Sequence, residues 1–217
     1  MSNKSVFSYP GDQIDVTWDG RLCIHIAECG QAEGELFVTG RKPWCLPDKR
    51  STDEVIDICE RCPSGALTVN DKSGNSIEQA PDENTVLVSY NGPLFITGDL
   101  QLEGLSDDMP DIQHRVALCR CGQSSNKPFC DNSHIKANFT DFGAVGEQGT
   151  DTVAKGGKLN IRLRQDGPLK ITGNMRIIAS SGRIAWHGDE TALCRCGASE
   201  KKPFCDGSHR KIGFSSK

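Results

Sequence analysis

Apolar and polar residues alternate in several short stretches of this chain, a period of two that is typical of half-buried β-strands. Within the N-terminal third, Ser51 and Glu54 have the spacing of a capping box, which predicts the start of a helix that ends before Cys62-Pro63. Residues 1–12 are predicted to be a loose start or an edge strand. The strands predicted in this third are residues 13–18, 36–38 and 66–69.

The remaining two thirds contain one sequence pattern twice, at a constant offset of 75 residues. Asn91-Gly-Pro-Leu-Phe-Ile-Thr-Gly98 is repeated as Asp166-Gly-Pro-Leu-Lys-Ile-Thr-Gly173. Asn-Gly and Asp-Gly are turn dipeptides, and each precedes an apolar strand pattern whose opening Pro cannot donate to a ladder. The uniform offset indicates a duplicated unit. Polar segments at residues 70–84 and 140–158 are predicted to be linkers.

Composition limits how such units can be stabilised. Of the 217 residues, 36% are hydrophobic and 6% aromatic, which favours several small cores over one large core. Domains below about 80 residues often need a metal or disulfides, and this chain has 11 cysteines. Because that number is odd and six of them fall in two metal-binding motifs, metal ligation in a reducing compartment is favoured over a secreted disulfide framework.

Charge, hydropathy and motifs argue against several classes of function. The formal net charge is −4 and no basic patch stands out, so nucleic-acid binding has little support. There is neither a signal peptide nor an apolar stretch of about 18 residues, so we expect a cytoplasmic protein without a membrane anchor. No serine-nucleophile, zinc-protease or nucleotide-binding motif is present, and we do not expect an enzyme.

Two blocks of 17 residues carry the candidate chemistry. Residues 118–134 read LCRCGQSSNKPFCDNSH and residues 193–209 read LCRCGASEKKPFCDGSH, with 13 identities and no gap. Three thiols and one imidazole within each block indicate a metal site. Soft thiolates with one imidazole suit zinc or an iron–sulfur cluster.

Ligand spacing favours the cluster over zinc. Structural zinc sites usually pair their ligands as C-x2-4-C and H-x3-5-H, whereas each block opens with C-x-C. In an extended backbone this places both side chains on one face, about 7 Å apart along the strand, where they can bind one iron. Cys205 and His209 lie one helical turn apart and can bind a second iron.

The pattern C-x-C-x2-S-x3-P-x-C-D-G-S-H resembles the signature of the CDGSH iron–sulfur family, the NEET-type proteins. The second block matches it in full, and the first departs at Asn132, where the family has Gly. Asn is the non-Gly residue that best tolerates a positive φ, so the turn can be kept. The resemblance implies one [2Fe–2S] cluster in each block, with the ligands Cys119, Cys121, Cys130 and His134, and Cys194, Cys196, Cys205 and His209.

The N-terminal segment CIHIAEC … RKPW … ERCPSGAL resembles the divergent mono-cluster ferredoxin domain, which implies a third cluster, of the [4Fe–4S] type. Bacterial ferredoxins bind through C-x2-C-x2-C with a later C-P. Here Cys23, Cys29 and Cys62 match, but Ile26 replaces the middle Cys and cannot bind iron. Three cysteines can hold a [3Fe–4S] cluster, or a fourth ligand can come from one other side chain. The candidates are Cys45, Cys59 and His25, of which Cys59 fits better as a core residue.

Together these observations predict an α+β protein: a ferredoxin-like α+β domain at residues 1–80, then mostly-β CDGSH repeats at 84–142 and 157–217. Because each repeat is too small to bury a good core, we expect an intrachain pseudo-twofold pair, and hence a monomer with an internal pseudo-dimer. The residues expected to face the shared core are Leu87, Leu94, Ile96, Leu169, Ile171 and Ile177.

Three functions remain open at this point. Two histidine-ligated clusters beside a ferredoxin-like module suit single-electron transfer between redox partner proteins, since replacing a thiolate by imidazole raises the reduction potential. A lone histidine among cysteines is also a weak point of the ligand set, which suits cluster storage or transfer to apo-acceptor proteins. The third is a zinc-stabilised interaction module.

Overall fold

A computed structural model of the chain describes residues 6–146, 149 and 156–217. The chain forms two compact units, one up to Gln79 and one from Ala80 onward. Part of the predicted linker at residues 140–158 lies outside the described residues. No helix within the described ranges has the length and apolar character needed to cross a membrane.

The first unit is a three-stranded antiparallel sheet with one helix of nine residues packed against it. Its elements are β1 (Val6–Pro10), β2 (Ile14–Asp19), α1 (Glu28–Gln31), a 3-10 turn (Pro47–Lys49), α2 (Thr52–Glu60) and β3 (Leu67–Asp71). Strand β2 is central and pairs with both β1 and β3. Val55 and Cys59 of α2 share one buried core with Val16 and Val69 of the sheet.

The local predictions for this unit hold with two exceptions. The linker predicted at residues 70–84 begins too early, since β3 runs to Asp71 and the amide of Ile77 donates to the carbonyl of Val69. The capping box forms, because Ser51 Oγ accepts from the amide of Glu54 while the Glu54 carboxylate accepts from the amide of Ser51. The strand predicted at residues 36–38 is wrong, since this segment makes only an isolated bridge between Phe37 and Cys45. The guanidinium of Arg41 donates to nearby carbonyl groups there, which closes a compact loop rather than a longer ladder.

The second unit is built on one sheet, in which seven strands of the described residues take part. Its elements are β4 (Thr85–Val88), β5 (Leu94–Thr97), β6 (Asp99–Glu103), β7 (Arg115–Leu118), α3 (Ser133–Lys136), β8 (Lys158–Leu163), β9 (Leu169–Ile178), β10 (Ile184–Leu193) and α4 (Ser208–Lys211). Strands β6, β8, β9, β4, β5 and β7 follow one another across the sheet, and β10 also pairs with β9.

Strands of the two repeats are interleaved in this sheet. Strand β4 of the first repeat runs parallel to the end of β9, and β6 runs parallel to β8 of the second repeat. The two registers are the same at the 75-residue offset, because Thr85 lies opposite Arg176 and Asn160 lies opposite Gln101. Strands of each repeat therefore pair directly with strands of the other repeat.

Buried apolar residues on these strands form the core. Of the predicted core residues, five are completely buried: Leu94, Ile96, Leu169, Ile171 and Ile177. Leu87 was wrongly placed, since Val86 and Val88 are the buried residues of β4 and Leu87 is only half-buried. Successive side chains of a strand point to opposite faces, so one misplaced residue reverses the face that is assigned to the core.

Candidate metal centres

The two thiols of each C-x-C pair lie side by side. The Sγ atoms of Cys119 and Cys121 are 3.6 Å apart, as are those of Cys194 and Cys196. Two thiolates bound to one tetrahedral ion at ~2.3 Å would lie about 3.7 Å apart, so each pair has the spacing to bind one metal. The pairs are closer than expected for extended backbone because β7 and β10 end just before the first cysteine of each pair.

The second pair of donors differs between the blocks. Cys130 Sγ lies 3.5 Å from His134 Nδ1, because the short helix α3 turns the histidine back over the cysteine. His209 Nδ1 instead lies 2.8 Å from the carbonyl oxygen of Asp166. A carbonyl can only accept, so this nitrogen carries the proton. The structure thus brings Cys130 and His134 together but leaves His209 turned away from Cys205.

Three donor pairs form, and they are not grouped around single points: Cys119 with Cys121, Cys130 with His134, and Cys194 with Cys196. Within the described parts of the chain, no three Cys, His, Asp or Glu side chains converge closely enough to hold one metal ion. A structural zinc ion needs four converging ligands. Pairs of donors fit a cluster with more than one iron better than they fit zinc, and three thiols with one imidazole are a suitable donor set for such a cluster.

Burial and mutual hydrogen bonding set the acidity of these thiols. The hydrogen bond between the two thiols lowers the pKa of Cys119 and raises the pKa of Cys121. Burial raises the pKa of both Cys130 and Cys196 to about 11. Burial, followed by the charge of Arg120, lowers the pKa of His134. A neutral imidazole is the form that binds metal.

Main-chain amides donate to the sulfur atoms. The amide of Gln123 lies 3.4 Å from Cys121 Sγ, and that of Asn132 lies 3.5 Å from Cys130 Sγ. In the second block the amide of Gly207 lies 3.4 Å from Cys205 Sγ. Such donors stabilise charge on the sulfur, which makes these loops suitable for thiolate ligation.

Polar side chains inside each loop hold its shape. The buried Ser124 hydroxyl donates to the carbonyl of Phe129 at 2.7 Å, and Ser199 repeats this contact with Phe204 at 2.6 Å. Asp131 accepts from Ser125 and Ser133. Burial opposes ionisation of Asp131, but these hydrogen bonds outweigh it and hold its pKa well below the ordinary range. The loop is therefore shaped by the protein's own hydrogen bonds.

The departure at Asn132 keeps the backbone conformation of the motif. Asn132 has φ 67° and the corresponding Gly207 has φ 86°, both in the left-handed region just before the short helices. The expectation that Asn tolerates this turn is confirmed.

Two buried arginines belong to these sites, and they were not identified from the sequence. Arg120 and Arg195 stand between the paired cysteines and are both buried. The Nε atom of Arg120 donates to the carbonyl of Gly92 at 2.7 Å, and that of Arg195 donates to the carbonyl of Gly167 at 2.6 Å. Each guanidinium also donates to the carbonyl of the residue three positions before that glycine, just after the end of a strand. It faces an aromatic ring as well. The arginines thus bind each metal loop to the turn before it.

The two metal loops meet each other directly. The main chains of Cys121 and Cys196 form an antiparallel bridge. Residues directly opposite each other in such a bridge have Cα atoms about 4.5–5.5 Å apart. One ligand of the first block therefore lies against one ligand of the second.

The three cysteines of the N-terminal motif line one cavity of about 440 Å³ in the first unit. Burial, then the nearby Cys62 and Cys23, raises the pKa of Cys29, as expected for thiols that face one another. The Cys62 Sγ lies 3.5 Å from the buried Ser64 hydroxyl. Aromatic side chains complete the apolar wall of the cavity: Tyr9, Trp18 and Trp44.

The other candidates for a fourth ligand are separated by the fold. Cys45 and Cys59 are buried in the core between the sheet and α2, and neither lines the cavity. Burial raises the pKa of Cys45 to about 12, so its thiol stays protonated. His25 does line the cavity, with its Nδ1 atom 3.9 Å from Cys23 Sγ. The assignment of Cys59 to the core is confirmed.

Paired thiol and imidazole donors on two linked loops define an iron–sulfur protein. Residues 91–135 and 166–210 match the family described as "Iron-binding zinc finger CDGSH type", and residues 9–72 match "Divergent 4Fe-4S mono-cluster". The chain belongs to the CDGSH iron–sulfur family and carries an N-terminal domain of the divergent mono-cluster family.

Two relatives each match part of the chain. The uncharacterized protein YjdI of Escherichia coli K12 is 39% identical over 64 residues, which are 30% of this chain and 84% of YjdI. CDGSH iron-sulfur domain-containing protein 1 of Rattus norvegicus is 44% identical over 39 residues, 18% of this chain and 36% of that protein. No solved structure matches the chain.

Proposed function

We propose that this protein is a single-electron carrier with two [2Fe–2S] clusters. Each block would bind one iron through its C-x-C pair and the second iron through the later Cys and His. When bound, such a cluster supplies one-electron redox chemistry. The ligands would be Cys119, Cys121, Cys130 and His134 at the first site, and Cys194, Cys196, Cys205 and His209 at the second.

The pairing of the donors carries this proposal. Sulfur atoms 3.6 Å apart in each C-x-C pair suit one iron, and the 3.5 Å contact between Cys130 and His134 suits another. Four protein ligands around two bridged irons leave no open position for a substrate. The residues themselves then position the cluster, exclude water on the buried cysteine side and keep the imidazole neutral. These features favour a carrier over an enzyme.

We further propose that the two repeats pack as an intrachain pseudo-twofold pair, at residues 84–142 and 157–217, within a monomer. The equal registers of the two parallel strand contacts support this arrangement. The bridge between Cys121 and Cys196 supports it too, since this contact pairs equivalent residues. Neighbouring ligands would allow electrons to pass between the two sites before they leave for a redox partner protein.

A third cluster in the N-terminal domain, residues 1–80, is part of the proposal. The cavity shared by Cys23, Cys29 and Cys62 supports it, because three thiols face one apolar space large enough for a cluster. With these ligands alone the site would take a [3Fe–4S] cluster, and with a fourth ligand it would take a [4Fe–4S] cluster.

Cluster storage or transfer is the second candidate function, favoured by the orientation of His209. Its Nδ1 atom lies on the carbonyl of Asp166 rather than beside Cys205. A histidine with an alternative partner of this kind can leave a metal more easily, which would help to hand a cluster to an apo-acceptor protein.

Iron and acid-labile sulfide per chain, measured on anaerobically purified protein, test the clusters. About four of each means two [2Fe–2S] clusters, and about seven iron or about eight iron adds the third cluster. Zinc without sulfide would leave the zinc-stabilised module instead. Repeated reduction and reoxidation with retained clusters supports electron transfer, whereas movement of iron and sulfide to an apo-ferredoxin supports cluster transfer.

A further inference from the structure

The N-terminal cavity brings together a set of donors that is one short of a complete cubane site. Cys23, Cys29 and Cys62 supply three thiols. A [4Fe–4S] cluster that is ligated entirely by protein has four such ligands, and in the standard ferredoxin pattern a fourth cysteine supplies the last one. In this chain that position is Ile26, which has no donor atom.

Burial removes two of the three remaining candidates. Cys45 and Cys59 are 1% and 0% exposed, and both lie in the core on the sheet side of α2 rather than along the cavity. To reach a cluster, either thiol would have to leave a packed core of apolar residues. Buried thiols in such surroundings behave as small apolar side chains.

His25 has the placement that the other two lack. It lines the same cavity as the three thiols, and its Nδ1 atom lies 3.9 Å from Cys23 Sγ. Its backbone has φ 53°, and Ala27 has φ 69°. Positive φ is unusual for residues other than Gly and is maintained only where the surrounding structure requires it. Both values fall in the loop from Cys23 to Cys29, in which His25 is exposed at the wall of the cavity.

We propose that His25 is the fourth ligand of the N-terminal site, which would then hold a [4Fe–4S] cluster with three thiolates and one imidazole. This inference rests on the third cluster of the proposed function. All three clusters of the chain would then share the same ligand types, three cysteines and one histidine.

The test compares full-length wild type with His25→Ala, His25→Cys and the neighbouring control Ile26→Ala, all purified and measured without oxygen. We expect about eight iron per chain in the wild type and in the control. His25→Ala should lose at least one iron and show the EPR signal of an oxidised [3Fe–4S] cluster if the other three irons stay. His25→Cys should restore the full iron content.

The possible outcomes distinguish a failure of the His25 assignment from a failure of the third cluster on which it rests. An unchanged iron content and spectrum in His25→Ala would overturn the role of His25, and so would loss that Cys does not restore or that Ile26→Ala shares. About four iron already in the wild type would overturn the third cluster itself, and the role of His25 with it.

A second, independent observation concerns the two buried arginines. Arg120 forms an ion pair with Asp141 at 2.5 Å, and their side chains are 1% and 16% exposed. The residue equivalent to Asp141 at the 75-residue offset is Ser216. Within the described ranges, no carboxylate lies within ion-pair distance of Arg195. The charge of Asp166 still acts on Arg195, but the Asp166 carboxylate accepts from Ser216 rather than from the guanidinium.

Charges that follow the second block increase the difference. Within the block, Glu200 and Lys201 replace neutral residues and cancel, but after it Arg210 and Lys217 replace Ile135 and Phe142. A reduced cluster carries one more negative charge than an oxidised one, so nearby uncompensated positive charge favours reduction.

We infer that the second site has the higher reduction potential of the two CDGSH sites, because Arg195 lacks the carboxylate partner that Arg120 has. One electron from a reductant such as dithionite would then reside first at the second site. The two CDGSH sites would therefore be reduced one after the other, although their ligands are the same.

An anaerobic redox titration that follows the EPR signals of the reduced [2Fe–2S] centres tests this order. The wild type should titrate in two separate steps. Ser216→Asp should lower the higher potential, Asp141→Asn should raise the lower one, and the neutral control Ser216→Asn should change neither. A single step in the wild type would overturn the inference, as would a Ser216→Asp variant in which the lower potential moves.

Discussion

A Cβ atom added to Gly122 would lie 2.5 Å from the carbonyl oxygen of Cys196. A Cβ atom added to Gly197 would lie 2.6 Å from the carbonyl oxygen of Cys121. Both glycines directly follow a candidate ligand, and both have positive φ, 79° and 83°. The close approach of the two metal loops is therefore possible only because neither residue has a side chain.

Replacing either glycine should weaken the contact between the loops. In Gly122→Ala, a left-handed Ala costs about 1–2 kcal/mol, and the overlap with Cys196 adds to this because a main-chain atom cannot easily move aside. We expect a lower free energy of unfolding in urea and faster loss of the visible absorbance of the clusters. Gly197→Ala should behave in the same way.

Gly182 offers a matched control, since it has φ 82° but no atom within 4 Å of its Cβ position. Gly182→Ala should show the conformational cost alone and should leave the clusters unaffected. If Gly122→Ala were no more destabilised than Gly182→Ala, the loop contact would not matter for stability.

Removing the buried Arg120 should be strongly destabilising. Arg120→Met would remove the hydrogen bonds that the Asp141 carboxylate and the carbonyls of Gly92 and Ser89 accept from this guanidinium. Breaking a buried ion pair typically costs about 3–5 kcal/mol. Urea unfolding of the full chain measures the loss, and the double variant Arg120→Met with Asp141→Asn should recover part of it. A cost below about 1 kcal/mol would mean that the pair is effectively solvated.

The sequence was sufficient for the parts of this fold that depend on local chemistry. The capping box at Ser51 and the turn at Asn132 were both predicted from residue type and spacing. The burial of Arg120 was not, because arginine is mostly exposed and its partners lie 21 to 31 residues away in the chain. Likewise, the sequence already favoured the core for Cys59, but only the fold separates His25 from the buried Cys45.

Asn132 should be replaceable by Gly but not by Ala. Its φ of 67° favours Gly, Asn is tolerated, and Ala at this position should cost about 1 kcal/mol. Asn132→Gly should be neutral or slightly stabilising. Gly207→Ala is the matched change in the second block, since its φ is 86° and its Cβ position is free of contacts. Thermal unfolding of the four proteins provides the comparison, and a stable Asn132→Ala variant would contradict this account of the turn.

The first unit should lose the stabilising contribution of its capping box in acid. Hydrogen bonds from Ser51 and Arg50 lower the pKa of Glu54 below its ordinary value. The unfolded chain therefore binds the proton more tightly, so the contribution of Glu54 is complete above the ordinary pKa of about 4.3 and is lost as the pH falls below it. Ser51→Ala should cost about 1 kcal/mol at pH 7. That cost should shrink below about pH 4.

The same argument distinguishes Glu54 from its neighbour Asp53. Both lie in the first turn of α2, but only the Glu54 carboxylate accepts a hydrogen bond from the amide of Ser51. Urea unfolding between pH 7 and pH 3 should therefore show that Glu54→Gln loses stability at neutral pH and has a flatter pH dependence than the wild type. Asp53→Asn should retain the pH dependence of the wild type. Since both variants keep the metal sites of the wild type, their differences from the wild type report on the cap alone. An equal pH dependence of stability in the two variants would assign the acid sensitivity to other groups.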